Sequence, residues 1–268
     1  MKIKFWKMHG AQNDFALFDD RRGKFPAADR EFIVHIASRH SGVGSEGVIL
    51  IQRSATADFF MRFFNPDGGE ADMCGNGARC AARLAFGLGA AGEKMTIETK
   101  AGTLKAQILR KGVRLWMTEP SGWKFKGQLE LEGRSLTYDF VNTGVPHAVV
   151  RTGVLRDVDV CGTGAAVRRH RDFWPSGTNV NFAEVLPGGE LSVRTYERGV
   201  EAETSACGTG VTACGLIAAK HGWVKFPVKV HVASGDILVV DGKLTADGVR
   251  LVTLTGPAEH VFEGIIEY

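Results

Sequence analysis

The chain predicts an α+β fold built from two similar halves, and three observations carry that prediction. The stretch FNPDGGEADMCGNGARCAARLA, Phe64 to Ala85, places Cys74 in a glycine loop ahead of a run with good helix propensity. A second stretch, YERGVEAETSACGTGVTACGLIAA from Tyr196 to Ala219, places Cys207 in the same setting. Sliding the sequence by the distance between these cysteines lays Lys100–Ala106 over Ala233–Val239, so that Gly102 meets Gly235. Two halves of one design follow.

Taken in order, KIKFWKMHGAQNDFALFDD opens as a strand, breaks between Gly10 and Asn13, and resumes as FALF. Asn13 and Asp14 suit a turn. Between Pro26 and Arg39 the apolar residues Phe32, Ile33, Ile36 and Ala37 recur at helical spacing, with Asp29 as a cap. SGVGSEG ends that helix, and two strands, GVILIQR and ADFFMRFFN, lead into the Cys74 loop. After the Cys74 helix come three short strands, MTIETKAG, TLKAQILR and VRLWMTE.

The second half repeats the plan. LTYDFVNTGVPHAVV is followed by a connecting helix near residues 155–171, then by TNVNFAEVL and LSVRTYERG. After the Cys207 helix the three-strand pattern returns as VKVHVAS, DILVVDG and VRLVTLTGP. Each half is expected to wrap an antiparallel sheet around a central helix. HVFEGIIEY, after Pro257, is expected to pair back into the first half. The expected domains are therefore residues 1–118 plus 257–268, and 119–256, with a cleft between them.

Composition narrows the function. At 268 residues, 44% hydrophobic and 24% charged, the chain has material for globular cores. The net charge of +3 is small and dispersed, which argues against nucleic acid or a membrane as partner. No apolar run approaches the roughly 20 residues that span a bilayer, and a signal peptide's apolar core is missing, so a cytoplasmic protein is expected. Five cysteines cannot all pair within one chain, and their spacings do not suit a zinc knuckle. Cys80 and Cys214, inside the helices, read as small buried hydrophobes. Cys161 stands in another CGTG string, but the charged stretch AAVRRHRDFWPSGTN follows, so it reads as structural or incidental.

A cysteine at a helix start faces unpaired amides and the positive end of the helix dipole. That setting stabilises a thiolate and holds a small carboxylate, although a glycine loop also serves as a plain turn. Two such cysteines on opposite sides of a bound molecule could remove a proton from one face of a carbon and return one to the other, inverting it. One would be thiolate and the other thiol, with roles exchanging by direction. Donors converging on the adjacent carboxylate would stabilise the enolate-like charge.

MHGAQNDF, FNPDGGEADMCGNGARC, TGVPH, TNVNF and YERGVEAETSACGTG, in this order across nearly the whole chain, resemble the diaminopimelate epimerase family. The resemblance implies a cofactor-independent enzyme that interconverts L,L- and meso-diaminopimelate for lysine and peptidoglycan synthesis. It also implies two similar domains, usually in a homodimer. Position by position, it makes Cys74 and Cys207 the acid/base pair. Gly75, Asn76, Gly208 and Thr209 become donors to the reacting carboxylate, and Asn13, Asn65 and Asn179 substrate-binding asparagines. Glu197 and Arg198 would recognise charged groups, as a substrate with two amino-acid ends requires. His147 matches a positioning or electrostatic group.

Three positions depart from the common pattern. Gln12 stands where glycine is expected, Val145 where many members have asparagine, and Gly47 where some have a substrate-binding glutamine. They bear on the distal end of the substrate and leave both cysteine loops intact. Alternatives are a proline racemase relative, a thiol redox protein using the two cysteines as a switch, and a catalytically dead binding module. Asn76 and Arg198 argue against the first.

Overall fold

The structure, a computed structural model, describes residues 1–131 and 133–268. The chain divides into two compact units, Met1–Leu115 with Gly256–Tyr268, and Trp116–Thr255.

In the first unit, Lys2–Gly10 and Asn13–Asp19 form a hairpin closed by Ala11 and Gln12, both at positive φ (57° and 62°). That turn geometry matches strand twist and suits glycine or asparagine, which explains the glycine expected at position 12. The other edge of Lys2–Gly10 takes the terminal strand Glu259–Glu267 antiparallel. Asn13–Asp19 pairs in parallel with Val48–Gln52 across helix α1, Arg30–Ala37, where the Asp29 carboxylate accepts from the Phe32 amide. Val48–Gln52 pairs antiparallel with Phe59–Phe64, which pairs in parallel with Lys94–Thr99 across helix α2, Gly75–Gly87. Gly102–Ile108 pairs antiparallel with Lys94–Thr99.

Strand alternation gives this sheet two apolar faces. Phe5, Ala16, Phe18, Val48 and Leu50 pack with Phe32, Ile33 and Ile36 of α1. α2 lies among the strands, with nine of its thirteen residues buried. That burial explains why its sequence is mostly alanine, glycine and cysteine: larger side chains would hold the backbone away from its neighbours.

The second unit follows the same order. Ser121–Leu131 and Arg134–Asn142 pair antiparallel, and Pro146–Arg151 extends them. Pro146–Arg151 pairs in parallel with Asn179–Val185 across helix α3, Val160–Arg168, and Asn179–Val185 pairs antiparallel with Leu191–Glu197. Leu191–Glu197 pairs in parallel with Val228–Val232 across helix α4, Gly208–Lys220, ten of whose thirteen residues are buried. Ile237–Thr245 and Gly248–Gly256 complete the sheet.

The α+β class holds, with ladders that are mixed rather than purely antiparallel, because each helical crossover joins parallel strands. The helix expected over 155–171 is α3 flanked by short helical turns at Leu155–Asp157 and Arg171–Phe173. The one expected between Pro26 and Arg39 is confined to Arg30–Ala37. Ser121–Leu131, for which the sequence reading names no element, is an eleven-residue strand. Among the described residues no helix is long and apolar enough to cross a membrane.

Five non-glycine residues among those described have positive φ, and Leu251 is the exposed hydrophobic one. Leu251 sits at φ 54° in Gly248–Gly256 and is 70% exposed, so a branched side chain occupies the left-handed region without core packing in return. Leu251→Gly is expected to raise unfolding stability by roughly 1 kcal/mol in urea titration; a loss would contradict this.

Candidate active site

Cys74 is the N-cap of α2, with extended backbone (φ −137°, ψ 121°), and its carbonyl takes the first helical bond from the Ala78 amide at 2.8 Å. Its sulfur accepts from the Gly77 amide at 3.5 Å, as a capping oxygen would. Its thiol donates to Asn13 Oδ1 at 3.8 Å. The amide stabilises the charged form and the oxygen stabilises the protonated one, so the sulfur has a partner in each state.

The orientation of Asn13 is fixed by its neighbours. Its Nδ2 donates to the Glu46 carboxylate, which can only accept, so Oδ1 turns toward Asn76 Nδ2 (3.2 Å) and Cys74. Asn76 is fixed in turn by Arg79, which donates from Nη2 to Asn76 Oδ1 at 2.8 Å and from Nε to the Pro257 carbonyl at 3.1 Å. Arg79 is fully buried. Gly75 and Asn76, the first two residues of the helix, place their amides where no intrahelical acceptor exists.

Cys207 is likewise the N-cap of α4, and its carbonyl accepts from the Val211 amide at 2.9 Å. Its sulfur lies 3.4 Å from Thr209 Oγ1. Thr143 Oγ1 donates to the Thr209 carbonyl and Thr212 Oγ1 to that of Gly208, pinning the first turn. The remaining cysteines stand apart chemically. Burial pushes the Cys80 thiol to about 12 and raises that of Cys214. Cys161 is exposed and sits one residue inside α3, where Asp159 does the capping.

The predicted residues of the second unit gather around adjacent strands. His147 and Asn179 are register partners, and Asn179 Nδ2 donates to the Pro146 carbonyl while its Oδ1 accepts from the Arg198 amide at 2.8 Å. Arg198 Nη1 donates to the Ser176 carbonyl, and Glu197 accepts from Thr204 Oγ1. His147 is fully buried, and that burial, helped by the Arg198 cation, lowers its pKa from 6.5 to about 3. Asn65 is exposed and opens the turn from Phe59–Phe64 to Glu70–Ala71.

Three further residues, Arg79, Glu46 and Asn181, join these networks outside the set that the sequence predicts. The signal for Arg79 was a cation on a helix of small residues; Glu46 and Asn181 show only through contacts made 33 or 34 residues away. At Gly47 the Phe63 ring leaves no room, since a Cβ there would lie 2.4 Å from Phe63 Cε2. A glutamine could not replace this glycine without moving that ring.

The family model described as diaminopimelate epimerase matches residues 5–123 and 140–261. A diaminopimelate epimerase of Aquifex aeolicus is 41% identical, covering 99% of this chain and 100% of the relative. One from Archaeoglobus fulgidus is 39% identical, covering 99% and 97%. Among solved structures, a Bacillus anthracis phenazine biosynthesis protein of the PhzF family superposes with a TM-score of 0.75 at 18% identity, over all of both chains. A hydroxyproline epimerase from Agrobacterium vitis gives 0.70 at 18% identity, over 99% of this chain and 92% of the other. These two share the fold.

The buried imidazole has a measurable consequence. As pH falls below about 6.5 the unfolded chain's His147 takes a proton that the folded one refuses until about 3, so its contribution to stability, full above 6.5, is lost on acidification. Histidine NMR is expected to show no titration of His147 between about pH 8 and pH 5. A midpoint near 6.5 would contradict its burial.

Proposed function

The chain belongs to the diaminopimelate epimerase family, and from that premise we propose that it interconverts L,L- and meso-diaminopimelate with Cys74 and Cys207 as its two acid/base groups. The observation that carries the reading is that each of these cysteines, and neither buried helical one, caps a central helix. One thiolate removes the α-proton from one face while the other cysteine, as thiol, delivers a proton to the opposite face. Carbon inverts, and the two sulfurs exchange protonation states. General acid/base steps of this kind contribute about 10²- to 10⁴-fold each.

The harder problem is the weak acidity of a proton beside a carboxylate. The amides of Gly75, Asn76, Gly208 and Thr209 are proposed to hold that carboxylate and stabilise the charge spreading into it. One such donor is typically worth about 10²- to 10³-fold. Asn13 sets the Cys74 thiol, while Asn65, Asn179, His147, Glu197 and Arg198 bind the charged groups of the substrate. The reaction belongs to lysine biosynthesis, and the family resemblance supports a peptidoglycan role, a cytoplasmic setting and a homodimer.

Proton exchange tests both reaction and mechanism. With L,L-diaminopimelate in heavy water under reducing conditions, newly formed meso product is expected to carry one deuterium at the inverted centre, while early residual substrate keeps its protium. Absence of both exchange and inversion would refute the activity. Equal early labelling of substrate and product would refute two separate bases.

A further inference from the structure

Asn181 is fully buried on Asn179–Val185, and its hydrogen bonds dictate more than packing. Its Nδ2 lies 3.0 Å from the Ala148 carbonyl, an obligate acceptor, so that atom must be the amide nitrogen. The opposite atom, Oδ1, accepts from Thr195 Oγ1 at 3.0 Å. The same Nδ2 lies 3.1 Å from His147 Nδ1. Facing a donor, Nδ1 must be the unprotonated nitrogen, and the proton of the neutral ring then sits on Nε2. His147 Nε2 is buried and has no hydrogen-bond partner among the described residues.

A buried N–H without an acceptor is costly unless something else supplies one. The neighbouring Arg198 cation acts on the same ring, so the surroundings favour an anion as that acceptor. We propose that Asn181 is a positioning residue that locks His147 as the Nε2–H tautomer, making the imidazole a fixed donor to a carboxylate oxygen of the substrate rather than a proton-exchanging base. The substrate half rests on the epimerase reading; the tautomer lock does not. The lock also ties the ring to the cysteine helix. Gly210, in the first turn of α4, lies so close that a Cβ there would stand 2.2 Å from Asn181 Oδ1.

The ¹⁵N tautomer pattern of His147, read by NMR in the substrate-free enzyme near neutral pH, is the first test. The Nε2–H form alone is expected; an Nδ1–H form or an averaged mixture would overturn the lock. Adding diaminopimelate should move the Nε2 proton downfield, and an unmoved signal would overturn the donor role. Asn181→Leu should lose the single tautomer and raise KM at least about tenfold, with kcat less affected. Thr195→Val, which leaves both Nδ2 bonds intact, should keep the wild-type tautomer and is the control. Should Asn181→Leu fail to fold, Gly210→Ala displaces the same amide, and an unchanged tautomer pattern in it would count against the lock. A single Nε2–H tautomer with no turnover would support the lock and refute the substrate role alone.

Discussion

A cysteine at the N-cap of a buried helix is the constraint on which the rest depends. The cap position puts a sulfur where serine or aspartate usually sits, beside amides that the helix cannot satisfy and a dipole worth roughly half a positive charge. For those amides to serve a ligand, the helix must point its start outward while its body stays fixed. Each unit meets this by surrounding its helix with strands, and the helix accepts the crowding because its residues are small. The Gly77 amide contact and the Thr209 hydroxyl contact show that the two caps are similar in plan and different in detail.

Around each cap, groups that can only donate or only accept, the Arg79 and Glu46 side chains and the Ala148 backbone carbonyl, fix the ambiguous amides. Arg79 orients Asn76, Glu46 orients Asn13, and Ala148 orients Asn181. Every chain of bonds ends at a group proposed to touch the substrate. Buried polar networks of this kind are favourable only when fully satisfied, so a change far from sulfur can still alter what the sulfur meets. The fully buried Arg79, bonded to both Asn76 and Pro257, also links the Cys74 helix to the entry of the terminal strand within its own unit.

Much of this was legible in the sequence because it is local. The Asp29 cap, the strands leading into each cysteine and the two central helices all follow from neighbouring residues. Less legible was what depends on distance. Periodicity marks a strand but not its neighbour's direction, so the parallel pairings at helical crossovers did not show. Ser121–Leu131 carried a usable signal, with Trp123, Phe125, Leu129 and Leu131 alternating against polar residues. In the second unit TNVNF marks Asn179, but Asn181 in the same motif gains its meaning only from His147, 34 residues away. The CGTG string at Cys161 shows the converse: it does form a helix start, but with Asp159 as the cap its cysteine is displaced into the first turn.

The departures at Gln12 and Gly47 have structural readings that leave the chemistry alone. Gln12 occupies a left-handed turn position, and Gly47 admits the Phe63 ring. Two-base epimerisation requires both capping cysteines. The most direct measurement is epimerisation by Cys74→Ala and Cys207→Ala, each with circular dichroism to confirm folding. Both are predicted to fall by at least about 10³-fold while keeping the native spectrum. Turnover near wild type in either folded variant would contradict the two-base assignment.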